Sequence, residues 1–258
     1  MGVEPVRVTN VAWPGTPIPR WWRSAGIAVT ATLLVVGAVL VVAGFATHGW
    51  SDIVGFDHAI YMDGAQRWLH GGGFYLDRQL HGPYAVQEGD LLYPPTALWL
   101  FVPASFLPAF LWWAIPIGFV AWSVADWRPA WWSWPLLALC LAWPNTTVAF
   151  VTGYPGLWVA MAIAAGLRWG WPGALVLLKP SLLPFALVGI RTRGWWMMTA
   201  LLVLATLPML AMLPTWLQVV TDGSGGLLYS LREVPLMLLP VVAWAGRRRA
   251  IPVDQSPA

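Results

Sequence analysis

Long stretches without a charged residue constrain this chain more than any other feature of its sequence. Residues 24–51, 95–125 and 129–167 contain no Asp, Glu, Lys or Arg. Each can cross the roughly 30 Å hydrocarbon core of a bilayer at least once, because a helix of about 20 apolar residues is long enough. With 59% hydrophobic and 10% charged residues, the chain has too little polar surface for a water-facing globule. The sequence therefore predicts an all-α integral membrane protein.

The uncharged runs divide into about eight predicted transmembrane helices. Residues 25–46 make the first crossing. As one helix, residues 95–125 would measure about 46 Å, and their prolines offer breaks, so they predict a hairpin of two short spans. Glycine and proline at 153–156 divide 129–167 into two more spans. Single crossings are predicted for 169–190, 194–213 and 226–246.

The arginines favour the same number of spans, because positive charge accumulates on the cytoplasmic side. With the N-terminus inside, the cytoplasm receives Arg7, Arg20, Arg23, Arg191, Arg193, Arg247, Arg248 and Arg249. The short outer loops then hold only Arg128 and Arg168, whereas a single crossing in 95–125 would export five of those eight arginines. We therefore expect a multi-pass plasma-membrane protein with a membrane domain in 25–246 and cytoplasmic tails in 1–24 and 247–258.

Several classes of function are disfavoured by composition and motifs. The net charge of +3 is not gathered into a basic stripe, so nucleic acid is not an expected partner. Cys140 is the single cysteine, and neither the P-loop string nor H-E-x-x-H occurs, which disfavours Cys-based metal clusters, ATP-driven work and zincin chemistry. The four histidines match no compact ligand spacing. We predict neither a metal nor a cofactor.

The outer loop, residues 52–94, holds all the histidines except His48, together with six of the eleven acids. Within it, FDHAIYMDGAQRWLH over 56–70 has apolar residues at helical spacing, which predicts a helix lying at the membrane interface. Asp57 falls at the start of this helix, near the hydrocarbon boundary. It either caps the helix or serves as a functional carboxylate.

Three charges fall inside predicted spans, where each is costly unless it faces a cavity or has a partner. Arg232 and Glu233 lie near the outer start of the last span and can also be explained by snorkelling. Lys179 is deeper. A buried cation without a nearby carboxylate needs an anion, and successive residues on a helix point about 100° apart, so Arg232 and Glu233 pair poorly. Lys179 and Arg232 are therefore predicted to bind an anion.

Two stretches resemble a known family. The loop reads GFDHAIYMDGAQRWLHGGGFYLD and leads into LLYPPTALWLFVPASFLP, which is similar to the polyprenol-phosphate-sugar-dependent glycosyltransferases of family 87, in the GT-C class. Its Asp-x-x-x-Tyr, Leu-x-Gly-Gly and Tyr-Pro-Pro elements match Asp57, Tyr61, Leu69, Gly71, Gly72, Gly73, Tyr75, Asp77, Tyr93, Pro94 and Pro95. A second, weaker stretch of similarity includes Gly153 and Lys179, which match residues of the family's later motifs. The resemblance covers roughly 25–195, with Tyr154 where the family usually has Gln and with fewer spans than is common.

The resemblance implies a GT-C-like fold and an inverting transfer of a sugar, mannose in this family, from a polyprenyl-phosphate donor. The acceptor would be a lipid or glycan at the outer face, among membrane lipids and with a possible partner membrane subunit. Asp57 would be the catalytic base. The predicted substrate-binding residues are His58, Tyr61, Arg67, His81, Tyr93, Lys179 and Arg232, and the last two would bind the donor phosphate. The alternative is a non-catalytic membrane subunit or lipid-carrier translocator, which would not require Asp57.

Overall fold

The computed structural model describes residues 20–48, 53–87, 89–224 and 231–247. Most of both predicted cytoplasmic tails lies outside these residues, including Arg7, Arg248 and Arg249. Asp52 and Glu88 of the predicted outer loop lie outside them as well.

Helices make up most of the described chain. They are α1 (Arg20–His48), α2 (Phe56–Leu69), α3 (Leu98–Ala104), α4 (Ala109–Trp127), α5 (Trp134–Ala142), α6 (Pro144–Thr152), α7 (Gly156–Trp169), α8 (Leu183–Ala186), α9 (Arg193–Thr206), α10 (Leu213–Asp222) and α11 (Val234–Ala245). Stretches of 3₁₀ helix occupy Asp77–Gln79, Pro95–Ala97, Trp131–Ser133, Trp171–Leu178, Pro180–Leu182, Leu207–Met212 and Leu231–Glu233. Two short strands, β1 (Tyr84–Ala85) and β2 (Gly223–Ser224), pair in parallel.

Three helical stretches in the described chain are long and apolar enough to cross a membrane. They lie in α1, in α4 and in the run from α9 to α10. A fourth is the pair formed by α5 and α6, which is bent by 61°, if the pair counts as one span. Apolar side chains of α1 and α9 are largely exposed, as expected of surfaces that face lipid. These findings confirm a helical protein of membrane type, but the described helices do not show eight spans.

Contacts between loops define two ends of the molecule. Pro129 forms a backbone bridge with Arg247, and the Arg168 guanidinium pairs with Asp126 at 2.7 Å. Thr192 lies against Gly170. We call this side the arginine end, because it gathers Arg128, Arg168, Arg191, Arg193 and Arg247, next to the start of α1.

The opposite side, which we call the Asp57 end, is held together by side chains and backbone from distant parts of the chain. The Gly55 N–H donates to the Val151 carbonyl at 3.0 Å, and the Trp112 indole N–H donates to the Gly153 carbonyl at 2.6 Å. Six segments run between the two ends in the described residues. They are α1, α4, the pair α5–α6, α7, α9 and α11.

The predicted two-span hairpin in 95–125 is replaced by one short helix and one long helix. At seven residues, α3 is only about 10 Å long, and it stays at the Asp57 end, where Gln66 donates to Ser105 at 2.8 Å. Phe101 and Leu98 are fully buried in an aromatic cluster with α2. The burial of these side chains against protein explains why α3 does not cross, so α4 alone runs the length of the molecule.

In 129–167 the chain forms the bent pair α5–α6 and then the shorter helix α7, and both run in the opposite direction to the two predicted spans. Gly26 near the start of α1 lies against Trp131, and Gly37 lies against Ala142, so α1 and α5 run parallel. The chain from α5 through α6 therefore climbs from the arginine end to the Asp57 end, and α7 returns. Arg128 and Arg168, predicted for outer loops, lie instead with the other arginines.

The predicted span 169–190 is a hairpin that turns back at Lys179. The backbone there leaves helical geometry, with φ −126° and ψ 86° at Lys179. The two arms pack so closely that only glycine fits at position 173, because a Cβ there would lie 2.0 Å from the Val188 carbonyl oxygen. In the second arm, Gly189 adopts a φ of +86°, which other residues rarely adopt. The hairpin starts and ends at the arginine end. The prediction counted one crossing too many in 95–125 and one too many in 169–190. Because the two differences cancel, Arg191, Arg193 and Arg247 lie at the same end as the start of α1, the arrangement that the predicted topology also had.

The helix predicted over 56–70 is confirmed as α2, with Tyr61, Met62, Gly64 and Ala65 as its buried face. The loop after it is shaped by the fully buried Gln79, whose side chain accepts from Leu76 N–H at 3.1 Å and donates to the Leu91 carbonyl at 3.2 Å. Tyr84 O–H donates to the Val219 carbonyl at 2.9 Å. The loop is therefore anchored to α10 rather than free.

Candidate active site at the Asp57 end

Asp57 lies in the first turn of α2 and not at its N-cap. The cap is Gly55, in the left-handed conformation with φ 77°, so the capping explanation of Asp57 is wrong. The carboxylate instead accepts a hydrogen bond of 2.5 Å from the Thr152 hydroxyl at the end of α6. This contact joins α2 to the end of α6 through two residues that lie 95 positions apart in the chain.

A buried ion pair occupies the centre of the Asp57 end. The Lys179 ammonium lies 2.5 Å from Glu233 Oε2, and it also donates to the Tyr154 hydroxyl. Tyr154 O–H donates to Glu233 Oε1 at 2.7 Å. The ammonium also lies 5.2 Å from the centre of the Tyr93 ring. The side chains of Lys179 and Glu233 are 9% and 19% exposed, so the two charges neutralise each other largely out of water.

A cavity of about 210 Å³ opens beside this ion pair. Its lining includes the polar side chains of Lys179, Glu233, Tyr154, Tyr61 and Asp90. The same site thus joins α2, the turn of the 171–190 hairpin, the loop before α7 and the start of α11. Hydroxyl, carboxylate and ammonium groups together can hydrogen-bond a polar ligand, such as the ring of a sugar.

A second cavity, of about 270 Å³, lies on the other side of Lys179. Its walls are almost wholly apolar, with Trp99, Trp158 and Leu202 among them. Lys179 and Tyr93 line both cavities. A cation therefore stands at the junction of an apolar compartment and a polar one.

His58 is placed apart from both cavities. Its ring lies between those of Trp112 and Trp113, at centroid distances of 5.7 and 5.2 Å. Burial lowers the pKa of His58, although the nearby carboxylate of Asp63 opposes part of this effect. A neutral imidazole in an aromatic setting fits a packing role for this residue in α2.

Three other predicted substrate-binding residues do not line either cavity. Arg67 is exposed and donates to the Phe74 carbonyl at 3.1 Å. His81 is exposed, with Nδ1 2.6 Å from the Asp77 carbonyl oxygen. Arg232 is exposed beside Glu233. The structure thus brings together Tyr61, Tyr93 and Lys179, with Asp57 one helical turn before Tyr61.

Two residues of the site were not assigned to it from the sequence. Glu233 is the carboxylate that Lys179 was expected to lack, and Thr152 is the hydroxyl that holds Asp57. A lone carboxylate inside an apolar run was a signal for Glu233, because such a charge needs a buried partner. Nothing in the pattern marked Thr152.

Comparison of the chain with protein-family models, with curated proteins and with solved structures finds no match. In the described part of the chain, no three His, Cys, Asp or Glu side chains gather as a metal site would require. The class that fold and site define is therefore a helical membrane-type protein with a buried Lys–Glu pair between an apolar and a polar cavity.

Proposed function

We propose that this protein transfers a sugar, mannose by its resemblance to family 87, from a polyprenyl-phosphate donor to a lipid or glycan acceptor, with inversion. The observation that carries the proposal is the position of Lys179 between an apolar and a polar cavity. A lipid-linked sugar has the same order of parts: an apolar chain, a phosphate and a polar ring. The chain would enter the first cavity, the phosphate would meet Lys179, and the sugar would fill the second.

The orientation of the molecule supports an outward-facing site. Positive charge accumulates on the cytoplasmic side of membrane proteins, so we assign the arginine end to the cytoplasm. The Asp57 end, with both cavities near Lys179, then faces the outer side. Polyprenyl-phosphate donors of the GT-C class are used on that side.

The chemistry requires one base and stabilisation of one leaving group. The acceptor oxygen forms a bond to the anomeric carbon from the face opposite the phosphate, while the bond from that carbon to the phosphate oxygen breaks. The departing phosphate is anionic and gains from a nearby cation, which Lys179 supplies. The acceptor hydroxyl loses its proton to a carboxylate. Asp57, held by Thr152 one turn from the cavity residue Tyr61, is our candidate.

The test is transfer of radiolabel from candidate polyprenyl-phosphate sugars by the purified protein. Asp57→Asn keeps the size of the side chain and removes its proton-accepting charge, so we expect transfer to fall by about 10² to 10⁴. Asp63→Asn is the matched control, because Asp63 is exposed on the same helix, and its rate should stay near that of the parent. Normal turnover by a folded Asp57→Asn protein would remove Asp57 from this role.

A second candidate is a non-catalytic membrane subunit or lipid-carrier translocator. It is favoured by the ion pair itself, because Glu233 already satisfies the charge of Lys179 and so weakens its attraction for phosphate. The same assay separates the two functions. A protein that binds the polyprenyl-phosphate sugar but transfers none of it to any acceptor would fit the second.

A further inference from the structure

A cavity of about 650 Å³ lies between α4, α5, α7 and α11, on the arginine side of the Lys179 site. Its walls are apolar, and each of the four helices contributes side chains, such as Val124, Leu137, Leu157 and Leu239. Arg128 is the one charged residue among those that line it. This arrangement is a long apolar compartment with a single cation at the arginine end.

The backbone of Arg128 is unusual. It ends α4 in the left-handed conformation, with φ 48° and ψ 63°, and it is the only residue other than glycine with a positive φ in the described chain. Glycine is the usual residue at such a position, because a side chain adds strain there. Strained backbone positions cluster at functional sites and ligand clamps. We therefore interpret the arginine at this position as a ligand-binding residue.

The Arg128 guanidinium is also available. Within the described residues it makes no hydrogen bond or ion pair, in contrast to Arg168, which pairs with Asp126 and lies 4.0 Å from the Trp122 ring centre. Arg247 donates to the Trp244 carbonyl. The cation at the cavity is therefore free to meet an anion from outside the chain.

We propose that this cavity is a binding site for an anionic phospholipid, with one acyl chain inside it and the phosphate at Arg128. Its volume falls within the roughly 300 to 1,000 Å³ of sites for small molecules. Basic pockets between helices at the cytoplasmic face recognise anionic headgroups, and apolar walls suit a hydrocarbon chain. The lipid is distinct from the sugar donor, because Arg128 and Lys179 lie toward opposite ends.

Headgroup recognition is tested by titrating the purified, detergent-solubilised protein with phosphatidylglycerol and phosphatidylcholine and counting bound lipids by native mass spectrometry. Arg128→Asn removes the charge and tolerates the left-handed backbone. We expect about a fivefold loss of affinity for phosphatidylglycerol, the size of effect of one arginine near a membrane surface, and little change for phosphatidylcholine. Arg128→Gly should show the same loss, and Arg128→Lys should retain binding.

Arg191→Asn is the matched control for charge, because Arg191 is exposed at the same end and does not line the cavity. Occupancy of the cavity is tested by Ala121→Trp, which narrows it, against Ala114→Trp, an exposed position on the same helix that lies outside it. We expect only the first to weaken both lipids. Unchanged phosphatidylglycerol affinity in both Arg128→Asn and Arg128→Gly, or equal loss in Arg191→Asn, would overturn the proposal.

Discussion

The predicted role of Lys179 depends on whether the lysine has a carboxylate partner within the chain. As an isolated cation in an apolar run it implies an external anion, whereas the structure supplies Glu233 at 2.5 Å. The partners are 54 residues apart, so no local pattern connects them. A buried pair of this kind contributes little net stability, but breaking it strands the remaining charge.

This asymmetry gives a prediction for Glu233. Glu233→Met should lower the free energy of unfolding by about 3 kcal/mol, the low end for a broken buried pair, because Glu233 is partly exposed. Adding Lys179→Met should restore most of the loss, since no charge is then left alone. Reversible unfolding titrations in mixed micelles measure both. If the double variant is as unstable as the sum of the two single variants, the pair is not coupled as the structure indicates.

At the scale of elements, sequence patterns identified what was helical but not where apolar segments reverse. The helix over 56–70 was predictable because its apolar residues recur at helical spacing beside a polar face. Residues 95–125 and 169–190 are apolar on all sides, and such a run does not indicate whether its partner is lipid or protein. The packing partner of these runs is set by contacts that Phe101 and Lys179 make with residues far away in the sequence.

The 171–190 hairpin depends on close contact between its arms, which leads to a second prediction. Gly173→Ala should destabilise the protein by about 2 kcal/mol, as overpacking does, because the new methyl would meet the backbone at Val188. Gly118→Ala is the matched control in α4. No atom lies within 4 Å of a Cβ there, so alanine should stabilise by about 0.5 to 1 kcal/mol. Equal thermal unfolding midpoints for the two variants would contradict the hairpin.

For the molecule as a whole, the structure gathers most of the described arginines that were predicted to be cytoplasmic at one end, although the described helices do not show eight spans. Moving Arg128 and Arg168 to the arginine end leaves an even sharper asymmetry of charge than the sequence suggested. Arginine distribution constrains only whether the number of traverses between two loops is odd or even. The arginine distribution therefore does not distinguish the predicted eight spans from six traverses combined with the 171–190 hairpin.

Cysteine labelling separates these two topologies. In a Cys140→Ala background, cysteines placed at Arg128 and Thr192 should react with an impermeant maleimide from the same side, and one at Asp63 from the other. In the eight-span prediction, positions 128 and 63 lie on the same side of the membrane instead. Labelling of intact and inverted vesicles reads out the side directly, and reaction of positions 128 and 63 from one side would favour that earlier topology.

The pairing of Lys179 with Glu233 also sets an order of events during synthesis. Lys179 is made 54 residues before its partner, and at about 5 to 20 residues per second the delay is roughly 3 to 11 s. During that time Lys179 lacks this carboxylate partner, and an unpaired charge is costly inside a bilayer. The pair can therefore form only after the start of α11, the last of the described helices, has been made.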